Sequence, residues 1–128
     1  MRTGAKIPLI GLGCYNIPSS ADGRAALESA VGLGYRHFDS AQYYKNEDLV
    51  GSVINDSGIL RKEFFVASKV WISNAPYEKA KQSIEESLHK LDVGYIDLMI
   101  TNWPGNLVYK HNDERNAEIR QETWRALE

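Results

Sequence analysis

The stretch Gly34-Tyr35-Arg36-His37-Phe38-Asp39-Ser40-Ala41-Gln42-Tyr43-Tyr44-Lys45-Asn46-Glu47 joins two helical patterns through a short apolar segment. Gly34 closes the preceding helix as a C-cap. Tyr35-Arg36-His37-Phe38 then reads as a strand that ends at Asp39. Beyond it Leu49, Val50, Val53 and Ile54 recur at helical spacing. Helix, strand and helix in close succession are the repeating unit of a parallel α/β sheet.

Working outward, the same alternation continues in both directions. Upstream, Ser19 and Ser20 offer N-caps to a helix with Ala26, Leu27, Ala30, Val31 and Leu33 as its apolar residues. Leu9-Ile10-Gly11, after Pro8, predicts the first strand. Downstream, the second helix stops near Gly58, and Phe64-Phe65-Val66-Ala67-Ser68 predicts a buried strand rich in aromatic and β-branched side chains. Asn74 and Pro76 start a third helix whose face is Tyr77, Ala80, Ile84, Leu88 and Leu91. Ile96 to Ile100 is the fourth strand. A polar loop runs from about Gly105 to Asn116, and a last helix begins near Glu118. The pattern predicts parallel βαβ units within one domain over residues 1–128. An open doubly wound sheet and part of a closed (β/α)8 barrel both fit it.

Composition narrows the function classes. The chain has 128 residues, 43% hydrophobic and 25% charged, with a formal net charge of −2 and interleaved signs. Nucleic acid and anionic membrane surfaces are therefore not expected partners. No apolar run approaches the roughly 20 residues of a membrane span. The start, from Met1 to Lys6, followed by an apolar stretch broken at Gly11 and Gly13, does not read as a signal peptide. Cys14 is the single cysteine, which excludes a disulfide framework and a thiolate zinc site and fits a cytoplasmic setting. His37, His89 and His111 share no ligand spacing, so no metal is expected.

In either architecture functional residues gather at the C-terminal ends of strands. Those places carry Gly13-Cys14-Tyr15-Asn16, then Asp39 with Tyr43 and Tyr44, then Lys69 and Trp71, then Asn102-Trp103-Pro104. Taken singly, Asp39 reads as a turn or N-cap residue, Tyr44 as a packing residue and Asn102 as a turn residue. Lys69, at the end of an apolar strand, needs a partner. Together they describe a proton donor: a free tyrosine has a pKa of about 10, and a lysine ammonium within about 4–6 Å favours its phenolate. A carboxylate such as Asp39 would hold that ammonium. Tyr15, Trp71 and Trp103 would line an apolar pocket. Gly11-Leu12-Gly13 lacks the third glycine of a dinucleotide fingerprint, Asn16 standing in its place, and by itself carries little.

These residues resemble the aldo-keto reductase family. Gly4 to Gly13 looks like its opening segment, and Gly34 to Glu47 like its most specific signature, an aspartate followed five residues later by a tyrosine and then Asn-Glu. Val66-Ala67-Ser68-Lys69-Val70-Trp71 resembles its lysine strand, and Tyr95 to Pro104 its fourth-strand motif. The resemblance implies a (β/α)8 barrel and NADPH-dependent reduction of aldehydes or ketones. It assigns Tyr44 as general acid, Lys69 as the cation that makes the phenol more acidic, and Asp39 as partner of Lys69. It puts Gly13, Cys14, Tyr15 and Asp39 near the nicotinamide, and Trp71, Asn102 and Trp103 at the carbonyl substrate.

Two departures stand out. The family's fourth catalytic residue, just before Trp-Pro, is usually histidine, and here it is Asn102, which can donate a hydrogen bond but cannot relay a proton. A complete barrel typically needs about 250 residues. The expectation is therefore the N-terminal half of a barrel, about four βα units, truncated on the C-terminal side and weakly active or inactive alone. Such a half exposes sheet edges through which copies could associate. The competing expectation is a non-catalytic half-barrel interaction module.

Overall fold

Ser20 caps the first helix as its place in the sequence predicts. Its Oγ accepts from the Gly23 N–H at 3.4 Å, and α1 runs Ala21–Gly32. Gly34, at φ +96°, turns the chain out of the helix, a conformation open to glycine and costly to any larger residue. The computed structural model describes residues 6–105, 107–110 and 112–128. The remaining elements are β1 (Leu12–Gly13), β2 (His37–Asp39), α2 (Glu47–Asp56), β3 (Phe65–Val70), α3 (Tyr77–Leu91), β4 (Leu98–Thr101) and α4 (Arg115–Leu127). Short 3-10 turns occupy Gln42–Tyr44, Arg61–Glu63 and Ile72–Asn74. The readings made of Met1 to Ala5 and of His111 concern residues outside the described set.

The four strands are parallel and lie in the order β1-β2-β3-β4. Right-handed crossovers that all step the same way put every helix on one side of the sheet. The helices accordingly pack in sequence, α1 on α2, α2 on α3 and α3 on α4. A doubly wound sheet reverses its strand order and carries helices on both faces. This sheet does neither, so its geometry is that of a barrel wall.

Alternation along the strands sorts the side chains. Phe38 and Val66 face the helices and join a core with Leu27, Val31, Val50, Ile54 and Leu91. Asp39 and Lys69, one residue and three residues further on, face the other way, toward the concave side. The α2–α3 contact is close enough that a Cβ on Gly51 would fall 1.8 Å from the Leu91 carbonyl oxygen. Only glycine admits that approach.

Four local expectations are corrected. The first strand is Leu12–Gly13 and not Leu9-Ile10-Gly11; Leu9 and Ile10 are exposed. Strand membership goes to the residues that reach the neighbouring backbone, here opposite Phe38 and Asp39. On α1, Ala26 and Leu33 are exposed, Leu33 being the C-cap beyond the packed face. On α3 the fully buried residues are Ala80, Ser83, Ser87 and Leu91, while Leu88 is partly exposed. Small serines admit a hydrogen-bonded side chain there that an apolar face would exclude. The last helix starts at Arg115, three residues earlier than expected, and buries Asn116, whose Nδ2 donates to the Lys110 carbonyl at 2.7 Å.

Candidate active site

Register builds the centre of the site. Asp39, at the end of β2, is paired with Ala67 of β3, so Lys69 emerges on the same face one strand-repeat higher. Lys69 Nζ donates to Asp39 Oδ1 at 2.6 Å and to the Ser40 carbonyl at 2.8 Å. The lysine side chain is 12% exposed and the aspartate 39%. An ammonium has three donors. The third finds no hydrogen-bond acceptor among the described residues, and Nζ lies 5.1 Å from the centroid of the Tyr44 ring.

Tyr44 is delivered by the 3-10 turn that follows β2. Lys45, at φ +55°, ends that turn. The Tyr44 ring meets Tyr15 at 5.1 Å between centroids, and Tyr43 stacks on Trp71 at 4.2 Å and 24°. The Tyr44 hydroxyl has no hydrogen-bond partner among the described residues. The fold thus brings together Asp39, Lys69 and Tyr44, with Tyr15 against the tyrosine.

The other expected residues are distributed along the same rim. Gly13 is paired with Asp39, and no atom lies within 4 Å of where its Cβ would stand. Tyr15 is exposed. Cys14 differs from both: its thiol is fully buried in the core, its N–H donates to the Asp39 carbonyl at 3.0 Å, and its carbonyl accepts from Asn46 Nδ2 at 2.9 Å. Burial, then the nearby Asp39 carboxylate, pushes the Cys14 thiol up to about 12, with Lys69 opposing. Asn16 adopts φ +61°, the left-handed conformation that glycine favours. Asn102 follows β4, its N–H donating to the Val70 carbonyl at 3.0 Å. Its half-exposed side chain makes no hydrogen bond to Asp39, Lys69 or Tyr44 among the described residues. Trp103 is exposed beside it. His37 lies edge-on to Phe65 at 4.9 Å between centroids, and His89 stands exposed on α3.

Three residues of the signature act where sequence reasoning assigned nothing. Asn46, fully buried, donates through Nδ2 to the Cys14 and Ile17 carbonyls and accepts at Oδ1 from Ser40 Oγ. Glu47 accepts from Ser68 Oγ at 2.6 Å inside the core. Gln42 binds Trp71 N–H and α3. For Asn46 and Glu47 the signal was an Asn-Glu pair two residues beyond Tyr44: two polar residues opening a helix whose next turns are apolar. Tyr43, stacked on Trp71, supports that wall.

The sequence profile of the aldo/keto reductase family matches residues 9–128. The chain belongs to the aldo/keto reductase family. Glyoxal reductase of Bacillus subtilis (strain 168) is 37% identical over 128 residues, all of this chain and 42% of that protein. Glycerol 2-dehydrogenase (NADP(+)) of Saccharomyces cerevisiae is 36% identical over 131 residues, all of this chain and 41% of that one. The crystal structure of an aldo/keto reductase from Brucella melitensis superposes with a TM-score of 0.83 at 37% identity, covering 98% of this chain and 45% of that one. A Bombyx mori aldo-keto reductase solved in complex with NADP gives a TM-score of 0.80 at 29% identity, covering 98% and 43%. The chain therefore spans about two fifths of the length of the curated relatives it matches, and its four βα units correspond to the N-terminal half of the (β/α)8 barrel. No helix among the described residues is long and apolar enough to cross a membrane.

Proposed function

We propose that this chain carries the proton-donating half of an NADPH-dependent reductase of small aldehydes or ketones, as the N-terminal part of a reductase domain. The observation that carries the proposal is the Asp39–Lys69 pair at 2.6 Å with Nζ 5.1 Å from the Tyr44 ring. A phenol with no protein partner for its hydroxyl is free to meet a carbonyl oxygen. As the Tyr44 proton passes to that oxygen, negative charge is left on the phenolate. The Lys69 ammonium, with one N–H uncommitted and its charge fixed by Asp39, opposes that negative charge in a partly water-free setting. The phenolate then recovers a proton from solvent. Trp71 and Trp103 supply apolar walls, and the Asn102 amide offers a hydrogen bond to the same oxygen.

The residues present fit one end of the cofactor. Gly13 leaves an open floor beside the Asp39 carboxylate, with the exposed Tyr15 as a wall. That suits a flat ring bearing an amide. None of Gly13, Cys14 and Tyr15 carries a cation, so no phosphate is held by them. When bound there, NADPH supplies the hydride that reaches the carbonyl carbon. The single free thiol, Cys14, fits a cytoplasmic, reducing setting.

A second reading, a half-barrel module that pairs with another half without catalysis, is favoured by the exposure of Ile10, Ile100 and Trp103 along the open rim and concave side. NADPH titration followed by tryptophan fluorescence separates the two. The isolated chain is expected to bind weakly. Two missing charge-assisted phosphate contacts at roughly 1.5–3 kcal/mol each weaken affinity by about 10²–10⁴. Joining the chain to the second half of the B. subtilis relative is expected to restore binding and carbonyl reduction, and Tyr44→Phe to abolish the reduction. Reduction that survives Tyr44→Phe overturns the proposal.

A further inference from the structure

One amide joins three segments of the upper rim. Gln42 opens the 3-10 turn that ends in Tyr44. Its Nε2 donates to the Ser83 carbonyl at 2.9 Å and to Ser87 Oγ at 3.0 Å. Its Oε1 accepts from the Trp71 N–H at 2.8 Å and from Asn74 Nδ2 at 2.8 Å. A primary amide offers two donors and two acceptor positions, so every one is used. The orientation is fixed by chemistry, because the reverse would set oxygen against the Ser83 carbonyl and NH2 against two donors.

The neighbouring residue adds a second hold. Tyr43 stacks on the Trp71 indole at 4.2 Å. Trp71 is thus held at its backbone by Gln42 and at its ring by Tyr43, and both belong to the turn that delivers Tyr44. Trp71 also directly follows β3, which carries Lys69. The separation between the proton donor and the aromatic wall therefore passes through the Gln42 side chain.

We propose that Gln42 is a positioning residue that fixes Trp71 against the Tyr44 turn and so sets the shape of the carbonyl pocket between them. This rests on the reading of Tyr44 as proton donor and Trp71 as pocket wall. Gln42 itself touches no substrate. If it merely anchored α3, its loss would lower stability and leave the surroundings of Trp71 unchanged in the protein that remains folded.

The test uses the whole 128-residue chain with Trp103→Phe and Trp124→Phe, both exposed positions, so that Trp71 is the only tryptophan. Gln42→Met keeps the length and removes all four hydrogen bonds. Gln42→Glu keeps an acceptor for Trp71 N–H and Asn74, lets the Ser87 hydroxyl turn to donate, and sets only the Ser83 carbonyl against an oxygen. Near-UV circular dichroism of the Tyr43–Trp71 stack and acrylamide quenching of Trp71 are read alongside far-UV signal and urea midpoint. The expected result is loss of the near-UV stacking band and freer quenching in Gln42→Met, and retention of both native signatures in Gln42→Glu despite a lowered midpoint. A folded Gln42→Met protein with native Trp71 signatures overturns the proposal. So does a Gln42→Glu protein that loses the stacking band, which decides the matter if Gln42→Met does not fold. No cofactor or substrate enters the measurement, so the result stands apart from the Tyr44→Phe assay.

Discussion

Two cation–carboxylate pairs close the two ends of the same sheet, and both are 2.6 Å long. At the lower end Arg61 donates to Asp97, to the Val93, Phe64 and Tyr95 carbonyls, and lies 3.9 Å over the Tyr95 ring. Asp97 Oδ2 also accepts from the Val66 N–H at 2.8 Å. At the upper end Lys69 makes two hydrogen bonds among the described residues, and Asp39 stays half open to solvent. The lower pair commits four of the five guanidinium N–H groups, three of them to backbone carbonyls, and locks β3 to the segment entering β4. The upper pair stands beside the Tyr44 ring, whose hydroxyl has no hydrogen-bond partner among the described residues. Length alone does not distinguish the two pairs; a carboxylate half open to solvent and a neighbouring tyrosine do. This is the division of a barrel wall into a stabilising N-terminal rim and a reactive C-terminal rim.

The largest expected effect breaks the lower end. Arg61→Met leaves Asp97 and three carbonyls without their donor. Removing one partner of a mostly buried pair costs about 3–5 kcal/mol. For a chain of this size that lowers the melting temperature by roughly 10–20 °C. Thermal unfolding followed by far-UV circular dichroism measures it. A shift of only a few degrees would mean the lower rim is held by packing and not by the guanidinium.

Lys69→Met is expected to cost less, about 1–2 kcal/mol, because the Asp39 carboxylate can return to water. In a completed barrel the same change should remove most carbonyl reduction, on the order of 10²-fold or more. Melting curves of the two variants side by side, with turnover of the joined barrel, test the contrast. Equal destabilisation at the two rims would erase it.

The upper rim was legible in the sequence because charge stands out at the end of an apolar strand. Asp39 and Lys69 belong to runs that would otherwise be buried, strand alternation puts them on one face, and Tyr44 stands five residues beyond Asp39. The lower rim was not legible. Arg61 sits in a polar turn, Arg61-Lys62-Glu63, where a charged residue has no reason to be buried, and its partners are mostly carbonyls, which carry no sequence signal. The same blindness explains α3. Ser83 and Ser87 carry no apolar signal, and their partner Gln42 stands more than forty residues away in sequence. The fold class itself needed strand order, since local periodicity is the same in a barrel wall and in a doubly wound sheet.

Cys14 sharpens the comparison from inside the core, since it feels the upper pair and not the lower. Its thiol is held at about 12 by burial first and by the Asp39 carboxylate second, with Lys69 opposing. The native chain should therefore resist alkylation at pH near the ordinary thiol value. Asp39→Asn should speed iodoacetamide labelling several-fold by favouring the thiolate, and Lys69→Met should slow it. The sign for stability follows. A thiol pKa raised by folding contributes stability below the unfolded value of 9.0, and that contribution fades as pH rises from there toward about 12. Labelling rates unchanged in both variants would place Cys14 beyond the reach of the pair.

The smallest effect belongs to a third pair, Asp113–Arg115, which matches the other two in length but lies on the surface. Asp113 accepts from the Arg115 N–H at 3.0 Å, from Nε at 2.9 Å and from Nη2 at 2.7 Å, at the start of α4. Those bonds hold its carboxyl down from 3.8 to about 2. A carboxyl lowered by folding adds stability above its unfolded value and loses it as pH falls through the folded one. The difference in melting temperature between the native chain and Asp113→Asn should be present at neutral pH and close between pH 3.8 and about 2. Solvent and salt screen an exposed pair, and asparagine can still accept the Arg115 N–H. The difference should therefore be about a degree or two at low salt, shrinking further as salt is added. A loss as large as that of Lys69→Met would show that bond length and donor count rank these pairs after all, and that burial does not.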